Sequence, residues 1–168
     1  SVYIIFAYYN IKVMAQVKDK VEYIIALINE FAKRFKLTDV QAYRYITHYK
    51  GIDMIDEHYN VMHTLDFDEM VNSLAIYCNR QGGALIWFFF TITKKAMTDF
   101  EYMKEALATE LVMLLIEKEG MDMKSALNCF YNSETYDKLS KPESGLFYQS
   151  ERYVYALLHK EITTGTLA

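Results

Sequence analysis

Apolar positions recur at intervals of three and four through most of this 168-residue chain, and the interruptions mark where helices begin and end. From residue 17 to 35, Val17, Val21, Ile24, Ile25, Ile28, Ala32 and Phe35 fall on one helical face. Thr38 and Asp39 open a second helix with Val40, Tyr43, Ile46 and Tyr49 inward, and Gly51 is expected to end it at a left-handed position. Asp53 opens a short third helix with Ile55 and Tyr59. Asp66 opens a fourth with Phe67, Met70, Val71, Leu74 and Tyr77, which Gln81-Gly82-Gly83 stops.

A second helical region begins at Met97. Thr98 and Glu101 form a capping box, in which the hydroxyl accepts from a backbone N–H and the carboxylate reaches back. Phe100, Met103, Leu107, Leu111, Leu114 and Leu115 then make a stripe up to Gly120. Asp122 caps the next helix, Ser133 or Asn132 a short turn, and Ser150 a last helix with Tyr153, Val154, Leu157 and Leu158 inward. Residues 140–145 (SKPESG) hold the one proline and read as a surface loop, and the tail 163–168 lacks periodicity.

Two apolar strips break the helical pattern, one at residues 2–9 and one at 84–93. Both are rich in β-branched and aromatic residues, so pairing as two β-strands is expected. Neither reaches the ~20 apolar residues that span a bilayer. Each precedes a methionine that opens a helical region, Met14 and Met97, so both strips look like junction sequence. The fold expected is mainly all-α: an N-terminal strip (1–13), a four-helix module (14–82), an apolar junction (83–96), a second helical module (97–162) and a frayed tail (163–168).

Net charge is -4, unevenly spread: residues 14–81 hold eight basic and ten acidic groups, residues 97–162 seven and twelve. This lacks the basic footprint of a nucleic-acid binder. Residues 38–60 can be read as a helix-turn-helix, which makes a small DNA-binding regulator the alternative reading. Asp56 and Glu57 on its second helix would repel phosphates. Cys78 and Cys129 read as reduced, buried thiols. The N-terminus lacks the layout of a signal peptide, and a cytoplasmic protein is expected.

Little of this is catalytic. No GxSxG, GxGxxG, P-loop or HExxH pattern occurs, so no enzyme, cofactor or metal site is expected. His58 and His63, five apart across a helix end, are a poor ligand spacing. With fifteen tyrosines, the chain is richer in interface chemistry. The densest cluster holds Tyr131, Asn132, Ser133, Tyr136, Tyr148, Gln149, Ser150, Tyr153 and Tyr155. Aromatic anchors with a polar rim suit a partner-binding face, although Asn, Ser and Thr also cap helices and tyrosines also fill small cores.

Residues 17–80, with the helix opening at Glu22, the Gly51-Ile52 turn and YNVMHT at 59–64, resemble the bacterial domain-of-unknown-function family 3791. Residues 97–162, above all YNSETYDKLSKPESGLFYQSERYVYALL, look like a second small bacterial family. The resemblance implies genes that neighbour a mono-ADP-ribosyltransferase-like toxin, and hence an antitoxin-like or accessory role. The expected partner is a protein encoded nearby. Packing of the two modules on each other and a homodimer are compatible with that role, whereas a membrane or nucleic acid is not expected. Tyr59, His63 and Thr64 join the tyrosine-rich cluster as partner-binding candidates on this resemblance.

Overall fold

The computed structural model describes residues 2–85 and 97–165, with side chains from residue 7 onward in the first helix. Eight α-helices follow in order: α1 (Val2–Phe35), α2 (Asp39–His48), α3 (Gly51–Met62), α4 (Phe67–Arg80), α5 (Asp99–Glu119), α6 (Met123–Tyr131), α7 (Glu134–Leu139) and α8 (Glu151–Thr164). Two 3₁₀ turns, Pro142–Ser144 and Leu146–Tyr148, join α7 to α8. No strand occurs among the described residues.

Six of the helix starts follow the capping chemistry read from the sequence; α3 does not, since it begins at Gly51 behind Lys50, which makes no side-chain cap bond, and Asp53 lies in its first turn. Thr38 and Thr98 each make a full capping box, with Gln41 and Glu101 respectively. Asp66, Asp122, Ser133 and Ser150 accept from the amides of their own first turns. Each such cap satisfies donors that a helix N-terminus otherwise leaves unpaired. Gly120 ends α5 and Gly165 ends α8 in the left-handed conformation, at φ 68° and 78°.

Two expectations are corrected. The strip 2–9 is helical and continues without a break into α1, so it cannot be half of a strand pair. Its β-branched and aromatic content is a weak preference that helix propagation from the packed part of α1 overrides. The strip 84–93 lies outside the described residues except for Ala84 and Leu85, which are in neither helix nor strand. At the second correction, Lys50 rather than Gly51 takes the left-handed conformation, with φ 57°. Gly51 is the first residue of α3, and its role is space. A Cβ there would lie 2.6 Å from Ile46 Cγ2 and 2.9 Å from Leu74 Cδ1, so the missing side chain lets three helices meet.

One apolar core takes residues from both helical regions. Ile24, Ile28 and Phe31 of α1, Ile46 of α2 and Leu74 of α4 are fully buried, as are Leu111 and Leu115 of α5 and Phe130 of α6. The longest helix, α1, packs on α2, α3, α4 and α5. Polar contacts tie the two regions as well. Asp39 at the start of α2 accepts from Lys104 Nζ of α5 and, at 2.8 Å, from the Tyr136 hydroxyl of α7. Arg44 donates to Asn132 Oδ1 through Nε and Nη2 at 3.1 and 2.8 Å. The short α7 is held from α8. Glu161 Oε1 accepts from the Glu134 amide at 2.6 Å, and Oε2 accepts from the Thr135 amide and hydroxyl at 3.0 and 2.8 Å.

Candidate functional site: a groove between α1, α3 and the start of α6

The burial of α1 changes along its length. From Val21 to Ala32 most side chains are buried, whereas residues 7–12 are all exposed. Where the helix leaves the core, it forms one wall of an open groove of about 1030 Å³. Val13, Gln16, Val17, Asp19 and Lys20 line that wall. Asp56, Tyr59 and Asn60 from α3 and His63 just past its end line the second, and Asp122, Met123 and Lys124 close the end.

Tyr59 is the floor. Its ring stacks on His63 at 4.7 Å and 16° and meets Tyr23 edge-on at 5.6 Å. The Lys20 ammonium lies 5.5 Å from the centre of the same ring, a cation–π arrangement. Tyr23 anchors the stack by donating to the Met62 carbonyl at 3.1 Å. Burial, then the nearby charge of Asp19 and Glu22, raises the Tyr59 hydroxyl above the ordinary tyrosine range, so it keeps its proton near neutrality.

The groove's charges are mostly answered from within. Lys20 donates to Asp56 Oδ1 at 2.7 Å and to the Asp56 carbonyl at 3.3 Å. Lys124 donates to Asp53, which, followed by the nearby carboxylates, raises the ammonium's pKa. Asp122 is held below the carboxylate range chiefly by hydrogen bonds from Ser125, whose hydroxyl and amide both donate to it. His63 has a defined tautomer when neutral. Its Nδ1 lies 2.6 Å from the Tyr59 carbonyl, which only accepts, so Nδ1 carries the proton and Nε2 is the acceptor.

Of the partner-binding candidates, Tyr59 and His63 meet in this groove. Thr64 is exposed beside it and bonds back to the Val61 carbonyl at 2.7 Å. The tyrosine-rich stretch divides. Tyr131 and Tyr136 lie in the core, 2% and 1% exposed, where Tyr131 stacks on Tyr43 at 4.6 Å. Burial raises both hydroxyls well above the ordinary range. Ser133 is a buried cap and Asn132 serves Arg44. Tyr155 is half-buried and donates to Glu119, which also pairs with His159 Nδ1 at 2.9 Å. Burial and that carboxylate push the Tyr155 hydroxyl up to about 12. Tyr148, Gln149, Ser150 and Tyr153 remain exposed around the start of α8, and none of them lines the groove.

The pattern of the chain singled out neither Lys20, Gln16 nor Lys124. Their grouping depends on three helices whose contributions are separated by some forty to sixty residues. The one local signal was the four-residue spacing of Tyr59 and His63, which puts both on one helical face. The helix-turn-helix segment is part of the same wall, since Asp53 and Asp56 of α3 are the partners of Lys124 and Lys20. Among the described residues no helix is long and apolar enough to cross a membrane. No curated protein and no solved structure matches the chain. Residues 22–81, which carry the α1 core face, the α3 wall with Tyr59 and His63, and α4, match the family model of proteins of unknown function DUF3791.

Proposed function

We propose that this is a non-enzymatic interaction protein of the antitoxin-like or accessory kind, which binds a partner protein in the groove between α1, α3 and α6. The observation that carries the reading is the groove itself. It has a preformed aromatic floor of Tyr59 and His63, internally paired charges along its walls, and a volume that suits an inserted partner segment. Pairing Lys20 with Asp56 and Lys124 with Asp53 before binding lowers the cost of covering those charges. The mechanism is occlusion: a helical surface laid over the partner's active cleft, with the Tyr59 stack as anchor. The partner in this reading is a cytoplasmic protein encoded beside this gene, of the mono-ADP-ribosyltransferase type.

Co-expression with the tagged product of the adjacent gene tests this. The two proteins are expected to co-purify, and this chain is expected to relieve the toxicity of its neighbour. The double substitution Asn60→Arg/His63→Glu changes two exposed groove residues and is expected to weaken the complex by at least about a hundredfold while leaving the fold intact. Absence of both complex and rescue sinks the reading.

A further inference from the structure

The charged donors of the groove are already engaged, and several of its acceptors are open. Lys20 donates to the Asp56 carboxylate and carbonyl. Lys124 donates to Asp53 and lies 4.0 Å from Asp56 Oδ2. These four side chains form one chain of alternating sign, neutral in sum.

Beyond that chain stand groups that accept. Asp19 lines the groove and makes no hydrogen bond or ion pair among the described residues. It sits one helical turn before Tyr23, whose ring meets Tyr59 edge-on, so its charge is felt at the Tyr59 hydroxyl. Asp122 takes two amides and a hydroxyl from its own turn and pairs with no cation among the described residues. Neutral His63 keeps Nε2 as an acceptor. Counting Asp53, four carboxylates stand against two ammonium groups.

On the partner-binding reading of this groove, we infer that the segment it receives carries an arginine, whose guanidinium pairs with Asp19 beside the Tyr59–His63 stack. Sign, donor count and shape select that group. A phosphate or an acidic peptide would have to break the Lys20–Asp56 or Lys124–Asp53 pair to find a charged donor, and would meet an excess of negative charge. An uncharged segment would cover Asp19 and leave it unpaired, which is costly. A guanidinium brings five N–H donors and no acceptor, the complement of what is open here. It is also flat and stacks on aromatic rings, and the exposed His63 ring lies within 16° of parallel to Tyr59. An ammonium matches the sign but has neither the plane nor the fork.

The probes are an alanine-based helical peptide with two arginines four positions apart and its lysine and glutamate counterparts. They are titrated into the full chain while the ring resonances of His63 are followed by NMR. The arginine peptide is expected to shift them saturably, and more weakly as salt is added. Asp19→Asn, a change at an exposed position, is expected to weaken its binding about tenfold with unchanged helical circular dichroism. The lysine peptide is expected to bind less tightly and the glutamate peptide not at all. An arginine peptide that fails to bind, binds no better than either counterpart, or binds Asp19→Asn as well as wild type overturns the inference. With the co-expressed partner, Asp19→Arg is expected to abolish co-purification. A partner that holds this variant as tightly as wild type overturns the inference and leaves the partner-binding reading standing. Arginine-peptide binding without a complex with the adjacent gene product supports the inference and sinks that choice of partner, so the two failures are told apart.

Discussion

The two halves of α1 have similar apolar character and opposite surroundings. From Val21 to Ala32 the helix is the axis of the core, with Ile24, Leu27, Ile28 and Phe31 fully buried. From Ala7 to Lys12 every side chain is exposed. The difference lies in what stands opposite. The inner half faces α2, α4 and α5, each with its own apolar stripe, whereas the outer half has run past them. Hydrophobic content therefore measures what a segment gains from cover, and the topology decides whether cover is there.

Mutation can break that contrast. Phe31→Ala removes a fully buried ring beside Phe35 and is expected to cost about 3–5 kcal/mol in a urea unfolding curve. Ile11→Ala is expected to shift stability by no more than about 0.5 kcal/mol. Equal effects at the two positions would erase the distinction. Arg34 is the polar fastening of the inner half. Its guanidinium is only 6% exposed and donates to Asp68 Oδ1 at 2.6 Å, to the Asp68 carbonyl and to Asn72 Oδ1. Arg34→Ala is expected to cost about 2–3 kcal/mol by the same measurement, because three acceptors lose a charged donor.

A smaller effect sharpens the contrast through pH. Glu105 of α5 faces Asn29 and Lys33 of α1, with Lys104 and Asp39 beside it. Burial raises its carboxyl above the ordinary glutamate range, while hydrogen bonding from Asn29 and the nearby lysines pull the other way. A raised folded-state value means that the folded protein holds this proton more tightly. The contribution is then fully present below the unfolded glutamate value and lost as pH rises through the folded one. Glu105→Gln is expected to stabilise the protein at pH 7 and to lose that advantage as the pH falls below the glutamate range. Thermal melts at several pH values would show it, and a pH-independent difference would refute the assignment. A small effect is also expected at Lys18, where the two halves of α1 meet. Its ion pair with Glu110 is open to water on both sides, so Lys18→Ala should cost under about 1 kcal/mol, and less as salt is added.

The capping residues made the helix starts legible, because a cap is local chemistry between residues two or three apart. Thr38, Asp66, Thr98, Asp122, Ser133 and Ser150 all do what their side chains suggest. The strip 2–9 was misread because Tyr, Ile and Val favour strands only when a pleated neighbour exists, and here the neighbouring residues along the chain are already helical. Gly51 was misread because close approach of α3 to Ile46 and Leu74 leaves no trace in the local pattern. The groove was half legible. Tyr59 and His63 share a helical face, but Lys20, Asp56 and Lys124 come together only when three helices meet. Tyr131 and Tyr148 belong to one composition and two environments, and no periodicity in so short a stretch separates them.

The hold of Glu161 on α7 has a consequence for the order of folding. A six-residue helix cannot persist alone in water, since its few hydrogen bonds do not repay the cost of starting it. Beside the local Ser133 cap, the acceptors that steady its first turn belong to a carboxylate twenty-six and twenty-seven positions downstream. Formation of α7 is therefore expected to follow emergence of the last helix from the ribosome, with Tyr136, its ring destined for the core, among the last side chains to be buried and this segment open to proteases in a stalled chain.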